Sequence, residues 1–207
     1  MLIIGAKGFA KEVLEICHQN KDLENLAFFD DVNPEVSGLL YNKFPILKST
    51  DEAKNYFNTV DNRFTIGIGN PKLREILVNK FINLGGILHS TISPKANIGS
   101  YDIVIETGAN ILDGAIISNS VTIGKAPIIY YNAIITHDCA IGDYVEISPA
   151  VKILGRVKIG DYTQLGSNCT ILPDISIGNN VIIGAGSVVT KNIPDNCTAV
   201  GVPAKVI

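Results

Sequence analysis

A histidine followed at once by an aspartate, His137-Asp138, is the pair of neighbours in this sequence best suited to acid-base chemistry. Imidazole titrates near neutral pH, and it can take a proton from an attacking amine or hydroxyl when an acceptor orients its other nitrogen. The alternative for both side chains is plain solvation, which is the usual state of an outward histidine. His137 is therefore a candidate general base. Contact with Asp138 does not follow from the sequence, because neighbouring side chains on a strand point to opposite faces.

A second candidate group lies near the start of the chain, where Gly5 to Gly8 separate a short apolar run from a helical pattern. Leu2 to Ile4 are predicted to form a buried strand, and Phe9 to Asn20 a helix. The amides at the start of such a helix can bind a phosphate. The turn reads Gly-x-x-Gly-x-Ala and lacks the full dinucleotide fingerprint. A nucleotide site and mere tight packing of strand on helix both remain open.

Two further strands are predicted in the first half of the chain. Ala27 to Phe29 end in Asp30 and Asp31, and Phe64 to Ile68 precede a helix over Lys72 to Leu84. In an open parallel sheet, the loops at the carboxyl ends of the strands form the ligand crevice. The two aspartates could hydrogen-bond a ribose or a base there, although acidic pairs after a strand more commonly cap a turn.

The second half of the chain repeats every six residues. All fifteen positions taken at steps of six from Ile105 to Val189 are aliphatic, a period that fits neither an amphipathic helix nor an alternating strand. Ile-Gly recurs eighteen residues apart, at 123, 141, 159 and 177, so three hexapeptides make one turn. Short flat segments joined at corners return every sixth side chain to one interior, which predicts a parallel β-helix.

The eighteen-residue turn places residues of different motifs side by side. Residues eighteen apart stack at about 4.8 Å, which puts Gly155 beside His137 and Arg156 beside Asp138. Gly155 could leave room for a ligand or simply turn a corner, and Arg156 could pair with Asp138. Cys139 falls on an inward position for small side chains, so we expect an inert packing residue rather than a nucleophile.

Composition and charge narrow the classes of function. The formal net charge is −3 and there is no run of lysine or arginine, which argues against a nucleic-acid or anionic-membrane partner. The four cysteines lack disulfide or metal-ligand spacing, and neither a signal peptide nor a membrane span is evident. We expect a cytoplasmic protein that binds a small molecule and no metal. Its predicted domains are residues 1–88 and 89–207.

Five motifs occur in one order over nearly the whole chain, and together they resemble those of bacterial sugar acetyltransferases. They are Gly5-Ala-Lys-Gly8, Phe28-Phe-Asp-Asp31, Ile66-Gly-Ile-Gly-Asn70, His137-Asp-Cys-Ala-Ile-Gly142 and Gly201-Val-Pro-Ala-Lys205. The resemblance is to hexapeptide-repeat acyltransferases with an α/β Rossmann-like N-terminal domain and a C-terminal left-handed parallel β-helix. The group includes acetyltransferases of nucleotide-linked 4-amino sugars and the sialic acid O-acetyltransferase type. It implies a homotrimer, acetyl-CoA between neighbouring β-helices, and a nucleotide-linked sugar on the N-terminal domain.

The resemblance also implies roles for particular residues. His137 is the catalytic base with Asp138 as its acidic neighbour, and Gly155 offers its amide to the thioester carbonyl. The residues implied for acetyl-CoA, beside Gly155, are Glu146, Ser167, Ala185, Gly201, Pro203 and Lys205. Those implied for the nucleotide-linked sugar are Gly5, Ala6, Lys7, Gly8, Phe9, Asp30, Asp31, Gly69 and Asn70. The tail that contains Pro203 could also end the coil, because proline cannot donate to a strand ladder.

Three departures from the family pattern concern the acceptor and cofactor pockets. Glu146 stands where relatives often have a second histidine, Phe9 replaces a histidine or glycine, and Tyr130-Tyr131 replace a common Asn-Thr. The favoured function is acetyl transfer from acetyl-CoA to the amino group of a nucleotide-linked sugar in bacterial surface glycan biosynthesis. Sugar O-acetylation and a non-catalytic nucleotide-binding scaffold remain alternatives. The nucleotide, the sugar and the acyl preference stay open.

Overall fold

The computed structural model describes all 207 residues, which form two compact units, Met1–Pro94 and Lys95–Ile207. The first unit is an α/β domain. Its elements in chain order are β1 (Leu2–Ile4), α1 (Gly8–Gln19), β2 (Ala27–Phe29), β3 (Leu39–Leu40), β4 (Phe44–Leu47), α2 (Thr50–Thr59), β5 (Arg63–Ile66), α3 (Pro71–Asn83), β6 (Ile87–Leu88) and β7 (Thr91–Ile92). The sheet has the order β3-β4-β2-β1-β5-β6, and only the β3-β4 pair is antiparallel.

The three predicted strands and two predicted helices of this unit are present, with ends that differ by one or two residues. The sequence analysis missed β3, β4, α2 and β6. α2 follows a capping box in which Ser49 accepts from the Glu52 amide and the Glu52 side chain accepts from the Ser49 amide. That reciprocal pair satisfies donors that the first turn of a helix otherwise leaves unpaired.

The central strands of this sheet are buried along their whole length. All residues of β1 and β2 are buried, as expected for parallel strands covered on both faces. One face packs on Ala10, Val13 and Cys17 of α1. On the other, Phe29 and Phe81 meet edge to face with ring centroids 4.9 Å apart. This packing fixes the carboxyl ends of β1, β2 and β5, where the predicted ligand crevice lies.

A network of charges joins the amino ends of β1 and β5. Arg63 donates to both carboxylate oxygens of Asp22 at 2.9 and 3.0 Å and to both oxygens of Asp61. The Met1 ammonium donates to Asp61 at 2.8 Å. Burial raises the pKa of Asp61, but the hydrogen bonds from Arg63 and Met1 together outweigh it and hold the pKa well below its usual range.

The second unit is a parallel β-helix. Its strands are β8 (Asn97–Ile98), β9 (Ile103–Ile105), β10 (Asn110–Ile111), β11 (Ile116–Ile117), β12 (Val121–Ile123), β13 (Ile128–Ile129), β14 (Ile134–Ile135), β15 (Ala140–Ile141), β16 (Glu146–Ile147), β17 (Lys152–Ile153), β18 (Lys158–Ile159), β19 (Gln164–Leu165), β20 (Thr170–Ile171), β21 (Ser176–Ile177), β22 (Ile182–Ile183), β23 (Val188–Val189), β24 (Thr198–Gly201) and β25 (Ala204–Val206). They form three stacked sheets. One runs from β10 through β13, β16, β19 and β22 to β24, the second from β8 through every third strand to β23, and the third from β9 in the same way to β21.

The register of these sheets confirms the eighteen-residue turn. Ile117 pairs with Ile135, and Ile135 with Ile153. Of the fifteen aliphatic positions in the six-residue series, fourteen are buried and Ile105 is half-buried. A second side chain turns inward four residues after each aliphatic one, and the ten such positions from Ala133 to Ser187 are all buried. The interior is therefore filled by two side chains per hexapeptide.

The corners follow a second six-residue series. Every sixth residue from Asp102 to Gly186 has a positive φ, and only three of these fifteen residues are glycines. One corner column is further held by side chains, because Asp161 accepts from the amide of Asp143 at 2.8 Å. A Cβ on Gly142 would lie 2.3 Å from the Asp161 Oδ1 atom. The glycine of the repeated Ile-Gly pair is therefore required by the side chain stacked on it.

The coil ends in a hairpin. β24 pairs in parallel with β22, and β25 then runs back antiparallel to β24. Gly201 has φ +102° and Pro203 lies in the turn between the two strands. The tail thus folds back on the last coil instead of continuing the ladder.

Candidate active site

The His137-Asp138 pair occupies an exposed corner of the β-helix between β14 and β15. The two side chains are 55 % and 53 % exposed, and His137 Nδ1 lies 2.7 Å from Asp138 Oδ2. The carboxylate can only accept here, so it selects the neutral tautomer whose Nδ1–H donates to it. That tautomer leaves a lone pair on Nε2, the nitrogen that can take a proton from a substrate.

Direct contact between these neighbours depends on the corner backbone. On a strand, adjacent side chains point to opposite faces. Asp138 instead has φ +60° as a member of the left-handed corner series, and its amide donates to the Asn119 carbonyl one coil below. The sequence repeat placed both residues at a corner but did not determine whether they touch.

Gly155 stacks on His137, as the eighteen-residue spacing predicts. A Cβ on Gly155 would lie 2.7 Å from Cε1 and 2.8 Å from Nε2 of the imidazole, both closer than a Cβ atom approaches other atoms in proteins. The Gly155 amide makes no hydrogen bond within the protein. Gly155 therefore makes room for a side chain of the protein itself, the His137 imidazole, and the use of its amide as a donor to a ligand stays a prediction.

The expected pairing of Arg156 with Asp138 was wrong. Arg156 donates through Nε at 2.6 Å and through an Nη atom at 2.9 Å to the carboxylate of Asp174, one coil further on. Asp138 is held by His137 instead. The corner residues 138, 156 and 174 all have the same left-handed backbone, and the bidentate geometry favours the carboxylate that is free of another partner.

Cys139 lies in the core beneath this corner, as the repeat predicts. It is 2 % exposed, and its thiol donates to the Leu154 carbonyl at 3.3 Å. Burial raises the pKa of the Cys139 thiol above its ordinary value. The residue is therefore a packing side chain and not an accessible thiolate.

The first unit contains a cleft of about 220 Å³ at the carboxyl ends of β1, β2 and β5. Its walls are largely apolar, with Phe29, Val32 and Leu77 among the lining residues. Of the residues predicted to bind the nucleotide-linked sugar, Gly5, Asp30 and Asp31 line this cleft. The cleft lies where the strand order predicted a ligand crevice.

The remaining residues of that set are spread around the cleft. Ala6 and Lys7 line a neighbouring cavity of about 410 Å³, and Gly8 begins α1. Phe9 packs against the apolar core. Gly69 and Asn70 precede α3, where Asn70 caps the helix by accepting from the Leu73 amide at 3.0 Å, and the Gly69 carbonyl accepts from Arg74.

The two aspartates after β2 have different partners. Asp30 is buried and accepts from the Val32 and Asn33 amides and from the Asn33 side chain. Asp31 is ion-paired with Lys80 at 3.0 Å. Asp30 therefore does cap a turn, which was the commoner alternative, while it also lines the cleft. Asn33 is a lining residue that the sequence analysis missed.

Apart from Gly155, the residues predicted for acetyl-CoA lie on other parts of the β-helix than His137. Ser167 and Ala185 occupy successive coils of the corner that follows β19 and β22, and the Ser167 carbonyl accepts from the Gly186 amide. The Gly201 amide donates to the hydroxyl of Ser187, a buried side chain two residues after Ala185. Glu146 lies on β16 and Lys205 on β25. A single chain thus does not bring this set to the His137 corner.

Two further findings concern the chain as a whole. No group of three or more histidine, cysteine, aspartate or glutamate side chains is arranged to hold a metal ion. The helices are all too short and too polar to cross a membrane.

Comparison with known proteins assigns the family. The PglD N-terminal domain family matches residues 1–81, and the bacterial transferase hexapeptide family (six repeats) matches residues 156–191. The GDP-perosamine N-acetyltransferase of Escherichia coli O157:H7 is 32% identical over 160 residues, which cover 75% of this chain and 70% of that protein. The chain belongs to the sugar acetyltransferase family.

Three solved structures extend the similarity to the whole chain. PerB from Caulobacter crescentus, in complex with CoA and GDP-perosamine, is 29% identical with a TM-score of 0.90, covering 100% of this chain and 96% of PerB. WeeI from Acinetobacter baumannii AYE is 32% identical with a TM-score of 0.89, covering 100% and 98%. The acetyltransferase domain of PglB from Neisseria gonorrhoeae FA1090, in complex with acetyl coenzyme A, is 27% identical with a TM-score of 0.89, covering 100% and 98%.

These comparisons confirm the predicted fold class and enzyme class. The fold is a Rossmann-like domain followed by a left-handed parallel β-helix, and the protein is an acyltransferase of the sugar acetyltransferase family. The left hand departs from the right-handed rule for parallel crossovers.

Proposed function

We propose that this sugar acetyltransferase transfers the acetyl group of acetyl-CoA to the amino group of a nucleotide-linked amino sugar, as a cytoplasmic homotrimer in bacterial surface glycan biosynthesis. Residues 1–88 hold the nucleotide-linked sugar, and residues 89–207 carry the acyltransferase site. The relatives that support an amine acceptor are named or crystallised with GDP-perosamine. The identity of the nucleotide and sugar used by this chain is left to experiment.

The observation that carries the proposal is the 2.7 Å contact between His137 Nδ1 and the Asp138 carboxylate at an exposed corner. In the proposed reaction, the acceptor nitrogen attacks the thioester carbonyl carbon while His137 Nε2 takes its proton. The C–N bond forms, the C–S bond breaks, and CoA leaves as the thiol after it receives the proton from the imidazolium. Asp138 keeps the imidazole in the required tautomer and stabilises the cation formed on it.

Gly155 supplies the second group in this mechanism. Charge develops on the thioester oxygen as the amine attacks, and a preorganised backbone donor next to the base lowers that barrier. The Gly155 amide has no partner within the protein, and the residue itself is stacked against the imidazole. No acyl-enzyme is needed, because the accessible base can act in a direct transfer between two bound substrates.

The trimer is part of the proposal because one chain separates two parts of the predicted site. His137 lies at the corner after β14, whereas Ser167 and Ala185 belong to a different corner series and Gly201 ends β24. A three-fold assembly can bring the His137 corner of one protomer to the acetyl-CoA residues of its neighbour. Sedimentation equilibrium would measure this directly, and a monomer that is active at all concentrations would contradict it.

The test of function is acetyl transfer to a panel of acceptors. The purified protein is incubated with acetyl-CoA and nucleotide-linked 4-amino sugars or their hydroxyl analogues, and release of the CoA thiol is followed with a chromogenic reagent. We expect release with an amino sugar and its loss in His137→Ala. His18→Ala, which removes another exposed histidine, is the matched control and should keep wild-type activity.

Each outcome of this panel decides between the alternatives. Release only with hydroxyl acceptors would assign sugar O-acetylation. No release of CoA with any acceptor would refute the proposed function and favour the non-catalytic scaffold. Turnover that His137→Ala leaves unchanged would refute the proposed role of His137.

A further inference from the structure

Lys7 is the one cation of the Gly5–Gly8 turn, and its charge is already engaged in this structure. Its Nζ atom donates to Asn33 Oδ1 at 2.6 Å and to Glu35 Oε1 at 2.8 Å. Both acceptors belong to the loop after β2, whose first residue is Asp30. The Asn33 side chain donates in turn to both carboxylate oxygens of Asp30 at 3.0 and 2.9 Å. This bridge joins the glycine turn to the cleft of the first unit.

The two acceptors of Lys7 differ in charge and in how firmly they are held. Asn33 is neutral and half-buried, and its backbone carbonyl accepts from Lys48 Nζ at 2.8 Å. Glu35 is exposed, with 64 % of its side chain accessible, and the hydrogen bond from Lys7 lowers the pKa of its carboxyl. An exposed ion pair of this kind is weak. The Glu35 carboxylate can therefore leave while Asn33 keeps Lys7 oriented.

The charges around this bridge favour a more highly charged anion in place of Glu35. Lys7, Lys11 and Glu35 line the same cavity of about 410 Å³, and no other carboxylate lines it. A bound diphosphate carries more negative charge than a carboxylate, and lysine binds phosphate as a point charge. A diphosphate that took the place of the Glu35 carboxylate would therefore give Lys7 and Lys11 a counter-ion of higher charge.

We propose that Glu35 is a specificity-determining residue of the nucleotide site, because its carboxylate occupies Lys7 until the diphosphate of a nucleotide-linked sugar displaces it. This inference rests on the proposed function. A ligand without phosphate therefore gains no ion pair with Lys7. A nucleoside diphosphate gains one, but it must compete with the Glu35 carboxylate for the Lys7 ammonium. Glu35 sets the strength of that competition, and Asn33 keeps the ammonium in place.

The test is a double-mutant cycle on nucleoside diphosphate binding. Titration calorimetry with GDP and with UDP compares the wild type, Glu35→Gln, Lys7→Met and the double variant. We expect Glu35→Gln to tighten binding of the preferred nucleoside diphosphate about three- to fivefold, and to leave binding of the matching nucleoside unchanged. In the Lys7→Met background the same change should give no gain. Glu24→Gln, which removes an exposed carboxylate elsewhere on this unit, is the control for net charge.

The outcomes separate this inference from the function on which it rests. If GDP or UDP binds the wild type but Glu35→Gln leaves its affinity unchanged or weaker, the role of Glu35 is refuted and the proposed function stands. An equal gain in Glu35→Gln and Glu24→Gln would also refute it, as an effect of net charge alone. If neither GDP nor UDP binds the wild type, the role of Glu35 and the proposed function are both refuted for these two nucleotides. A gain from Glu35→Gln should also shrink as salt is raised, since exposed charges are screened.

Discussion

Replacing Gly155 by alanine tests whether the space beside His137 is needed for catalysis. The new Cβ would lie 2.7 Å from Cε1, 2.8 Å from Nε2 and 3.4 Å from Nδ1 of the imidazole. The two shortest distances are too close for carbon and ring atoms, so one group must move. Because the imidazole is 55 % exposed and ends a rotatable side chain, the ring is the group that gives way.

The expected effects on activity and on stability differ by their physical origin. Gly155 is outside the left-handed region, so alanine is compatible with its backbone, and we expect the free energy of unfolding to change by less than about 1 kcal/mol. A displaced imidazole no longer holds Nε2 where the acceptor nitrogen arrives. A misplacement of about 1 Å in a catalytic group can lower a rate about 100-fold. We therefore expect kcat to fall by about that factor while the fold is kept.

The assay is steady-state release of CoA thiol, with the melting temperature measured on the same samples. The alanine variant retains the backbone N–H at 155, so loss of activity reports on the imidazole rather than on the amide donor. Gly155→Ala in the His137→Ala background should cost nothing further, because the displaced group is already absent. Wild-type kcat in the single variant, or a large further loss in the double variant, would refute the steric reasoning.

Three other perturbations have defined results. Asp138→Asn removes the carboxylate that selects the imidazole tautomer, so kcat should fall about 100-fold while the KM for acetyl-CoA stays unchanged. A KM for acetyl-CoA that rises by a similar factor would contradict a purely orienting role. Asp61→Asn should destabilise the fold by about 2 kcal/mol at pH 7 in urea unfolding. Because the pKa of Asp61 is depressed in the folded state, its contribution is fully present above the unfolded pKa of about 3.9 and is lost as the pH falls from there through the lower folded pKa; a difference from the variant that does not shrink as the pH is lowered below about 3.9 would contradict this. Burial raises the pKa of Cys17 and Cys169 to about 12, so a thiol reagent at pH 8 should modify one cysteine per native chain, the half-buried Cys197, and four in denaturant.

The interior of the β-helix could be predicted from sequence because a single constraint acts on it at every turn. A side chain such as Ile135 stacks between Ile117 and Ile153, and any polar residue there would be buried without a partner. The constraint therefore appears in the sequence as an aliphatic residue at every sixth position. The same spacing correctly placed Gly155 beside His137.

The corners were less predictable, although they carry a period of their own. Every sixth residue along the coil, one at each corner, has a positive φ, a conformation usually associated with glycine, yet Asp138 and Arg156 both adopt it. Their side-chain directions therefore do not follow from strand alternation, and the partner of Arg156 was assigned wrongly for that reason. An expectation of asparagine, aspartate or glycine at these positions would have revealed the corner series.

In the first unit, the missed elements had local signals that outweigh their weak hydrophobic pattern. The Ser49-x-x-Glu52 capping box marks the start of α2. Pro45 instead conceals β4, because proline is rare in a strand that is paired on both sides, as β4 is with β3 and β2. Asn33 could not be found in this way. Its importance comes from its hydrogen bonds to Asp30 in the same loop and to Lys7, and only the second of these joins segments distant in sequence.

The site is built where the repeat does not constrain the residue type. Asn119, His137, Gly155 and Pro173 occupy the same corner position on four successive coils, and they share neither size nor polarity. An outward corner position adds nothing to the core, so the coil tolerates an imidazole on one turn only if the next turn leaves space for it. The rigid coil on either side then fixes the distance between them at one strand spacing. The periodic interior thus fixes the positions of the corner residues relative to one another, while the reacting groups themselves are corner residues that do not follow the repeat.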